Sequence, residues 1–87
     1  MKIFKLKAVS TSKGYTIEEI YFTSIKKATE SYRYLVEYLI TNHDIDKESV
    51  VYPTIYNKEI ALEEAQVGEY HVILQSYITH KKVMSYI

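Results

Sequence analysis

The spacing of apolar residues changes abruptly near residue 24, and this change limits the folds open to the chain. In the segment 3–9, Phe4, Leu6 and Ala8 fall on one side and lysines on the other. A period of two is typical of a half-buried β-strand. Beyond residue 24, apolar residues recur every three or four positions, as in an amphipathic helix. The chain is therefore predicted to combine strands with a helix.

A hairpin is predicted to join the first strand to a second one. We expect a three-residue loop at 12–14, in which Gly14 adopts the left-handed conformation that such loops require. This loop would pair Thr11 with Tyr15 and bring the apolar positions of both strands onto one face. The cross-strand pairs expected from this register are Lys7–Glu19, Leu6–Ile20 and Phe4–Phe22.

The helix is predicted over residues 25–42, with Thr23 or Ser24 as its N-cap and Asn42 and His43 at its C-terminal end. Its apolar stripe is about 100° wide, the width expected of a helix that packs on a sheet. The stripe consists of Ile25, Ala28, Tyr32, Leu35, Val36 and Leu39, with Ile40 at its margin.

After the helix the pattern returns to strands. Residues 50–56 are β-branched and aromatic, but Pro53 cannot donate to a ladder, so an edge strand is expected there. Residues 59–65 fit a strand or a helical turn, with strand favoured, and 70–78 should form a central strand. The predicted fold class is α+β: an antiparallel sheet of about four or five strands with one long amphipathic helix on one face, in the order ββαβββ.

Length and charge narrow the function classes. The 87 residues contain no cysteine, so we expect a single domain, 1–87, that is held together by core packing alone. Net charge is zero, but residues 44–69 carry seven acids against two lysines, a net charge of −5. This segment disfavours direct nucleic-acid binding and suits a basic protein surface. With no membrane span or signal-peptide pattern, we expect no membrane contact and a cytoplasmic location.

The residues that usually carry chemistry form no recognisable motif. There is no cysteine nucleophile, and the serines lie in no strained elbow motif. His43, His71 and His80 have no partner at the spacing of a zinc site. We therefore expect a protein that is not an enzyme, with no cofactor and no metal site.

Tyrosine is the unusual feature, with ten residues of this type and no tryptophan. Tyr34 and Tyr38 point away from the helix stripe, while Tyr52 and Tyr56 share one face of the expected edge strand. Tyrosine is enriched at protein interfaces because it offers a large area and a polar tip. The alternative is that exposed tyrosines are ordinary and those on the sheet pack across strands. The candidate partner-binding residues are Tyr34, Glu37, Tyr38, Tyr52, Tyr56, Glu63, Glu64 and Glu69.

The passage GYTIEEIYFTSIKKATESY combines a hairpin strand, a Phe-Thr-Ser helix start and a helix rich in Lys, Glu and Ala. It resembles small orphan accessory proteins of phages and mobile elements of low-GC Gram-positive bacteria, over residues 1–42. The resemblance implies a protein of the host cytoplasm that binds and inhibits or redirects a host factor, anti-CRISPR proteins being one such class.

Two other functions stay open. One is a homo-oligomeric assembly protein, a homodimer for example, that is joined through the strand 50–56. The other is a small nucleic-acid-binding regulator that uses the N-terminal lysines at positions 2, 5, 7 and 13.

Overall fold

The computed structural model describes residues 2–53, 55 and 61–78. Within these residues, four antiparallel strands form one sheet in the order β2-β1-β4-β3, and a single long helix packs on one of its faces. The elements are β1 (Lys2–Ser10), β2 (Thr16–Phe22), α1 (Ile25–Asn42), a short 3-10 helix (Lys47–Ser49), β3 (Ala61–Val67) and β4 (Tyr70–Ile78). The predicted α+β class, with one long helix on one face of an antiparallel sheet, is confirmed.

The core lies between α1 and the two central strands. β1 and β4 pair over nine residues, which places Leu6 opposite Leu74 and Ala8 opposite Val72 on the face that α1 covers. The helix buries four residues of the predicted stripe, Ala28, Tyr32, Val36 and Leu39. Ile25 is instead 52% exposed, because it is the first helical residue and lies outside the core cluster.

The helix begins and ends at the predicted residues, and a hydrogen bond closes each end, one from a side chain and one from the backbone. Ser24 is the N-cap, and its side chain accepts a hydrogen bond from the N–H of Lys27 at 3.4 Å. At the other end Asp44 adopts a φ of 50°, and the N–H of Ile45 donates to the carbonyl of Ile40 at 3.0 Å. This is the six-residue bond that closes a helix whose next residue is left-handed.

The predicted hairpin register is confirmed along β1 and β2, but the predicted loop is wrong. Phe4–Phe22, Leu6–Ile20 and Lys7–Glu19 pair as expected. At the turn, however, the N–H of Ser10 donates to the carbonyl of Tyr15 at 2.9 Å. The loop therefore holds four residues, and Thr11 does not pair with Tyr15. The N–H of Thr11 instead donates to the carbonyl of Glu69 at 2.7 Å, in the turn between β3 and β4. The register of the strand pair shifts after Ala8, and this shift accommodates the extra residue of the loop.

The strand predicted at 50–56 is not formed in its described part. Val51 makes an isolated bridge with Gln66 at the outer edge of β3, with N···O distances of 3.1 and 2.7 Å. The 3-10 helix ends just before this bridge, and Pro53 follows it without an N–H to donate, so the ladder stops after one residue. Residues 54 and 56 lie outside the described residues.

The remaining strand predictions are confirmed where they can be compared. The ambiguous segment 59–65 is a strand from Ala61 onward, with residues 59 and 60 outside the described residues. The strand predicted at 70–78 is β4, and it lies centrally between β1 and β3.

Two glycines with positive φ provide a test of the fold. Gly14 (φ +73°) faces open space, whereas a Cβ at Gly68 (φ +59°) would lie 3.0 Å from Cδ1 of Ile45. Gly14→Ala should cost about 1–2 kcal/mol from the left-handed backbone alone. Gly68→Ala should cost roughly 1 kcal/mol more because it also crowds Ile45. Urea unfolding measures both costs.

The extra cost at residue 68 should shrink when Ile45→Val removes the crowding Cδ1 atom. The double variant should therefore be more stable than the sum of the two single changes predicts. Equal losses for Gly14→Ala and Gly68→Ala would contradict the contact between residues 45 and 68.

Candidate functional site

A groove of about 670 Å³ runs between β2 and α1, and its floor is apolar. Leu6 and Leu39 lie at its base and are almost completely buried. The residues along its walls come from both elements. They are Ile17, Glu18 and Ile20 from β2, and Glu30, Ser31, Tyr34, Leu35 and Tyr38 from α1.

The two exposed tyrosines of the helix form one wall of this groove. Tyr34 is 73% exposed and Tyr38 is 48% exposed. One helical turn separates them, so their rings stack with centroids 6.4 Å apart and planes at 27°. The prediction that both rings point away from the core is confirmed, and the groove beside them gives the pair a neighbouring apolar surface.

The opposite wall depends on the irregular pairing of β2. Ala8 pairs with Glu18 and Val9 with Thr16, which leaves Ile17 unpaired as the extra residue of a β-bulge. A bulge redirects side chains, and Ile17 lines the groove although strict alternation would place it on the far face. Sequence reasoning missed Ile17 for that reason.

Among the described residues that line it, the groove has two carboxylates and no cationic side chain. Glu18 pairs with Ala8 and so shares the core-facing side of β2 with Ile20. Glu30 faces the groove from the helix, and the described residues that line it include no lysine, arginine or histidine. The groove can therefore accept apolar groups together with cations, and it offers no nucleophile beside a histidine base.

Glu37 lies between this groove and a second cleft on the other flank of α1. Glu37 lines both a shallow depression beside Tyr34 and Tyr38 and a cleft of about 510 Å³ that also contains Tyr52 and Glu63. Its carboxylate lies 3.4 Å from Nζ of Lys47, and both side chains are largely exposed. The structure thus brings Glu37, Tyr52 and Glu63 together across the cleft.

The other predicted acids lie elsewhere and do not form one patch. Glu63 and Glu64 are neighbours in β3, so their side chains project from opposite faces of the sheet. Glu64 lies on the face away from α1, where its Oε2 is 3.0 Å from Nε2 of His71. Tyr56 lies outside the described residues.

Glu69 belongs to the turn that binds the hairpin loop. Its Oε2 accepts hydrogen bonds from the hydroxyls of Ser12 and Ser10, the latter at 3.2 Å. The Ser12 bond, with smaller help from Ser10, Tyr70 and Lys13, holds the pKa of this carboxyl below its ordinary value. These bonds give Glu69 a structural role in joining the two turns.

Within the described part of the chain, no group of three or more His, Asp or Glu side chains is arranged to hold a metal ion. His71 faces Glu64, and the ring of His43 packs against that of Tyr70 at 4.7 Å. Among the described residues, no helix is long and apolar enough to cross a membrane.

No protein-family model matches the chain, and the comparisons with curated proteins and with solved structures found no match. Family membership therefore gives no guide to function, and the surface geometry is what supports a proposal.

The hydroxyl of Tyr32 is buried at the second cleft, and none of the described residues forms a hydrogen bond with it. Burial, together with the nearby charge of Glu63, raises the pKa of this hydroxyl. An unsatisfied buried group costs about 1–3 kcal/mol, so Tyr32→Phe should leave stability unchanged or raise it by roughly 1 kcal/mol.

Tyr70→Phe is the matched control for Tyr32→Phe. The Tyr70 ring is also buried, but its hydroxyl lies 3.4 Å from Nδ1 of His43, so this change should lower stability by about 0.5–1.5 kcal/mol. Urea unfolding compares the two variants. A large loss of stability for Tyr32→Phe would show that its hydroxyl has a partner after all.

Ser12→Ala should raise the pKa of Glu69 towards 4.5, its ordinary value. Since the native pKa is lowered, the stabilisation is present above the ordinary pKa and is lost as pH falls through the native one. The variant should therefore lose stability at neutral pH and show a weaker acid dependence. Carboxyl NMR titration measures the pKa, with Ser49→Ala as control because that hydroxyl bonds a backbone carbonyl. Identical Glu69 titration curves in the unchanged protein and in Ser12→Ala would contradict the assignment of the lowered pKa to the Ser12 bond.

Proposed function

We propose that this protein is a non-enzymatic binding module that holds a protein partner in the groove between β2 and α1. The observation that carries the proposal is the stacked, exposed pair Tyr34 and Tyr38 on the wall of an apolar groove. Exposed aromatic rings beside a concave apolar surface are typical of interaction hot spots, where buried aromatic anchors supply most of the binding energy. Stacking also limits the freedom of both rings before binding, which lowers the entropy lost on association.

The charge of the groove indicates the chemistry of the partner. Glu18 and Glu30 line it, and no cation compensates them among the described lining residues. Carboxylates that become desolvated in an interface need hydrogen-bonded cationic partners. The partner surface is therefore apolar at its centre, with lysine or arginine at its margin. This moves the expected contact from the segment 44–69 to the two acids that line the groove, Glu18 and Glu30.

A second copy of the chain fits this surface less well. β2 is an edge strand, with no described strand on its outer side. Antiparallel pairing of β2 with its own copy about its midpoint would place Glu19 opposite Glu19 and Glu18 next to it. Like charges directly opposite each other destabilise a strand pair. Nucleic acid is disfavoured for a related reason, since phosphates would meet the carboxylates of the groove.

The resemblance of residues 1–42 to phage and mobile-element accessory proteins supports a bacterial host protein as the partner. A basic, nucleic-acid-facing surface of such a host protein would have the required charge. We therefore propose an inhibitor that acts in the host cytoplasm by covering that surface.

The test is capture of a partner from a Gram-positive lysate treated with nuclease, followed by affinity measurements on the purified pair. Tyr34→Ala and Tyr38→Ala should each weaken binding by at least about tenfold, as expected for a hot-spot residue. Tyr15→Ala is the matched control: Tyr15 is 51% exposed but does not line the groove, so affinity should stay within about twofold.

Three outcomes would contradict the proposal. The first is equal losses for Tyr34, Tyr38 and Tyr15, which would mean that the groove is not the contact. The second is capture that disappears with nuclease, which would point to nucleic acid. The third is a stable dimer in light scattering with no partner captured, which would assign the surface to self-assembly.

A further inference from the structure

The cleft on the other flank of α1 has a composition unlike that of the groove. It lies between the helix and the start of β3, encloses about 510 Å³, and is polar over much of its lining. Two tyrosines, two acids and one arginine contribute to it. Its described lining residues are Tyr32, Arg33, Val36, Glu37, Tyr52 and Glu63.

Tyr32 provides the first sign that the cleft receives a ligand. It is only 5% exposed, and its hydroxyl oxygen has no hydrogen-bond partner in the described part of the chain. Buried hydroxyls are normally paired, so each exception requires an explanation. Tyr32 lines the same cleft as Glu63 and Tyr52, and burial, together with the nearby charge of Glu63, raises the pKa of its hydroxyl. The hydroxyl is available to accept a hydrogen bond from a group that enters beside them.

The charges of the cleft give the second sign. Glu63 is exposed and has no ion-pair partner among the described residues. Arg33 lines the same cleft, yet no ion pair joins it to Glu63 or Glu37 in the described part of the chain. Glu37 already faces Nζ of Lys47 at 3.4 Å, so Glu63 is the carboxylate of the cleft that is left without a cation among the described residues.

We infer that this cleft binds the ammonium or guanidinium group of a lysine or arginine side chain, held between the Tyr52 ring and the Glu63 carboxylate. An exposed aromatic ring attracts a cation to its face. The carboxylate of Glu63 accepts charge-assisted hydrogen bonds from the same group. The Tyr32 hydroxyl, which has an unused acceptor, takes one of the remaining N–H groups.

The inference extends the proposed function without depending on it. Because Glu37 borders both the cleft and the surface beside Tyr34 and Tyr38, a partner lying across the helix can place a basic side chain here. The cleft itself can be tested without that partner, so failure of one proposal leaves the other standing.

The experiment is an NMR titration of the full chain with N-acetyl-arginine methylamide and N-acetyl-lysine methylamide. We expect saturable shifts of the Tyr32 and Tyr52 ring signals and of the Glu63 amide. The matching citrulline compound, which has the shape of arginine without its charge, should produce none. Binding of citrulline equal to that of arginine would overturn the inference.

Adjacent acids on opposite faces of β3 provide a matched pair of variants. Glu63→Gln should weaken binding by at least about fivefold, because it removes the charged acceptor. Glu64→Gln removes the same charge one residue away, on the other face, and should leave the affinity unchanged. Equal effects of the two changes would mean that binding depends only on the overall negative charge of the protein, and this would overturn the site. Urea unfolding checks that both variants remain folded.

The variant Arg33→Gln tests whether the cleft binds a cation or an anion. Removing this resident cation should tighten binding of the arginine and lysine probes by about twofold or more, because it relieves like-charge repulsion. Weaker binding of these probes in Arg33→Gln, together with shifts on titration with acetate, would mark an anion site and overturn the inference.

Free arginine distinguishes a side chain from a small molecule. A cleft that recognises side chains binds the capped compound at least as tightly as free arginine. Free arginine binding tenfold more tightly would assign the site to a free metabolite and overturn the assignment to a protein side chain.

Discussion

The nine-residue pairing of β1 with β4 is the interaction on which the rest of the structure depends. It runs from Lys2 opposite Ile78 to Ser10 opposite Tyr70, and so joins the two ends of the described chain. β1 carries β2 and the helix that follows it, while β4 carries β3. The groove and the cleft lie on opposite flanks of α1, and each is bounded by a strand attached to this central pair. Their relative position is therefore fixed by one ladder.

Local patterns predicted most of the fold because they coincide with what the tertiary structure needs. The register of β1 and β2 follows from the alternation of apolar residues, and the helix bounds follow from Ser24 and the change of period. The loop length was wrong because Thr11 bonds to Glu69, some 58 residues away, and no local pattern reports that bond. Composition favoured a strand at 50–56, but the absent N–H of Pro53 outweighs it.

The candidate site could be predicted only in part. Helical angles placed Tyr34 and Tyr38 on the exposed side of α1, but the groove beside them requires the position of β2, which the sequence does not specify. Ile17 reaches the groove only through the bulge. The acidic run was treated as one surface, although a strand at 59–65 already implies that Glu63 and Glu64 face opposite ways. The strand was predicted, but this consequence for the two carboxylates was not drawn.

Polar groups on the core-facing side of the sheet occur at both flanks of α1. Glu18 shares its face with Ile20, and Glu63 faces the helix side, while the hydroxyl of Tyr32, on α1 itself, is buried with no hydrogen-bond partner among the described residues. In a stable fold, the residue type at each position normally suits its surroundings, and these three groups depart from that rule. Such departures are expected at functional sites, where function opposes stability. An 87-residue chain has a small core, so it gains little to offset them. All three groups accept hydrogen bonds, and the two carboxylates attract cations. The proposals for the groove and the cleft therefore share one expectation, a single basic partner that lies across the helix rather than two unrelated ligands.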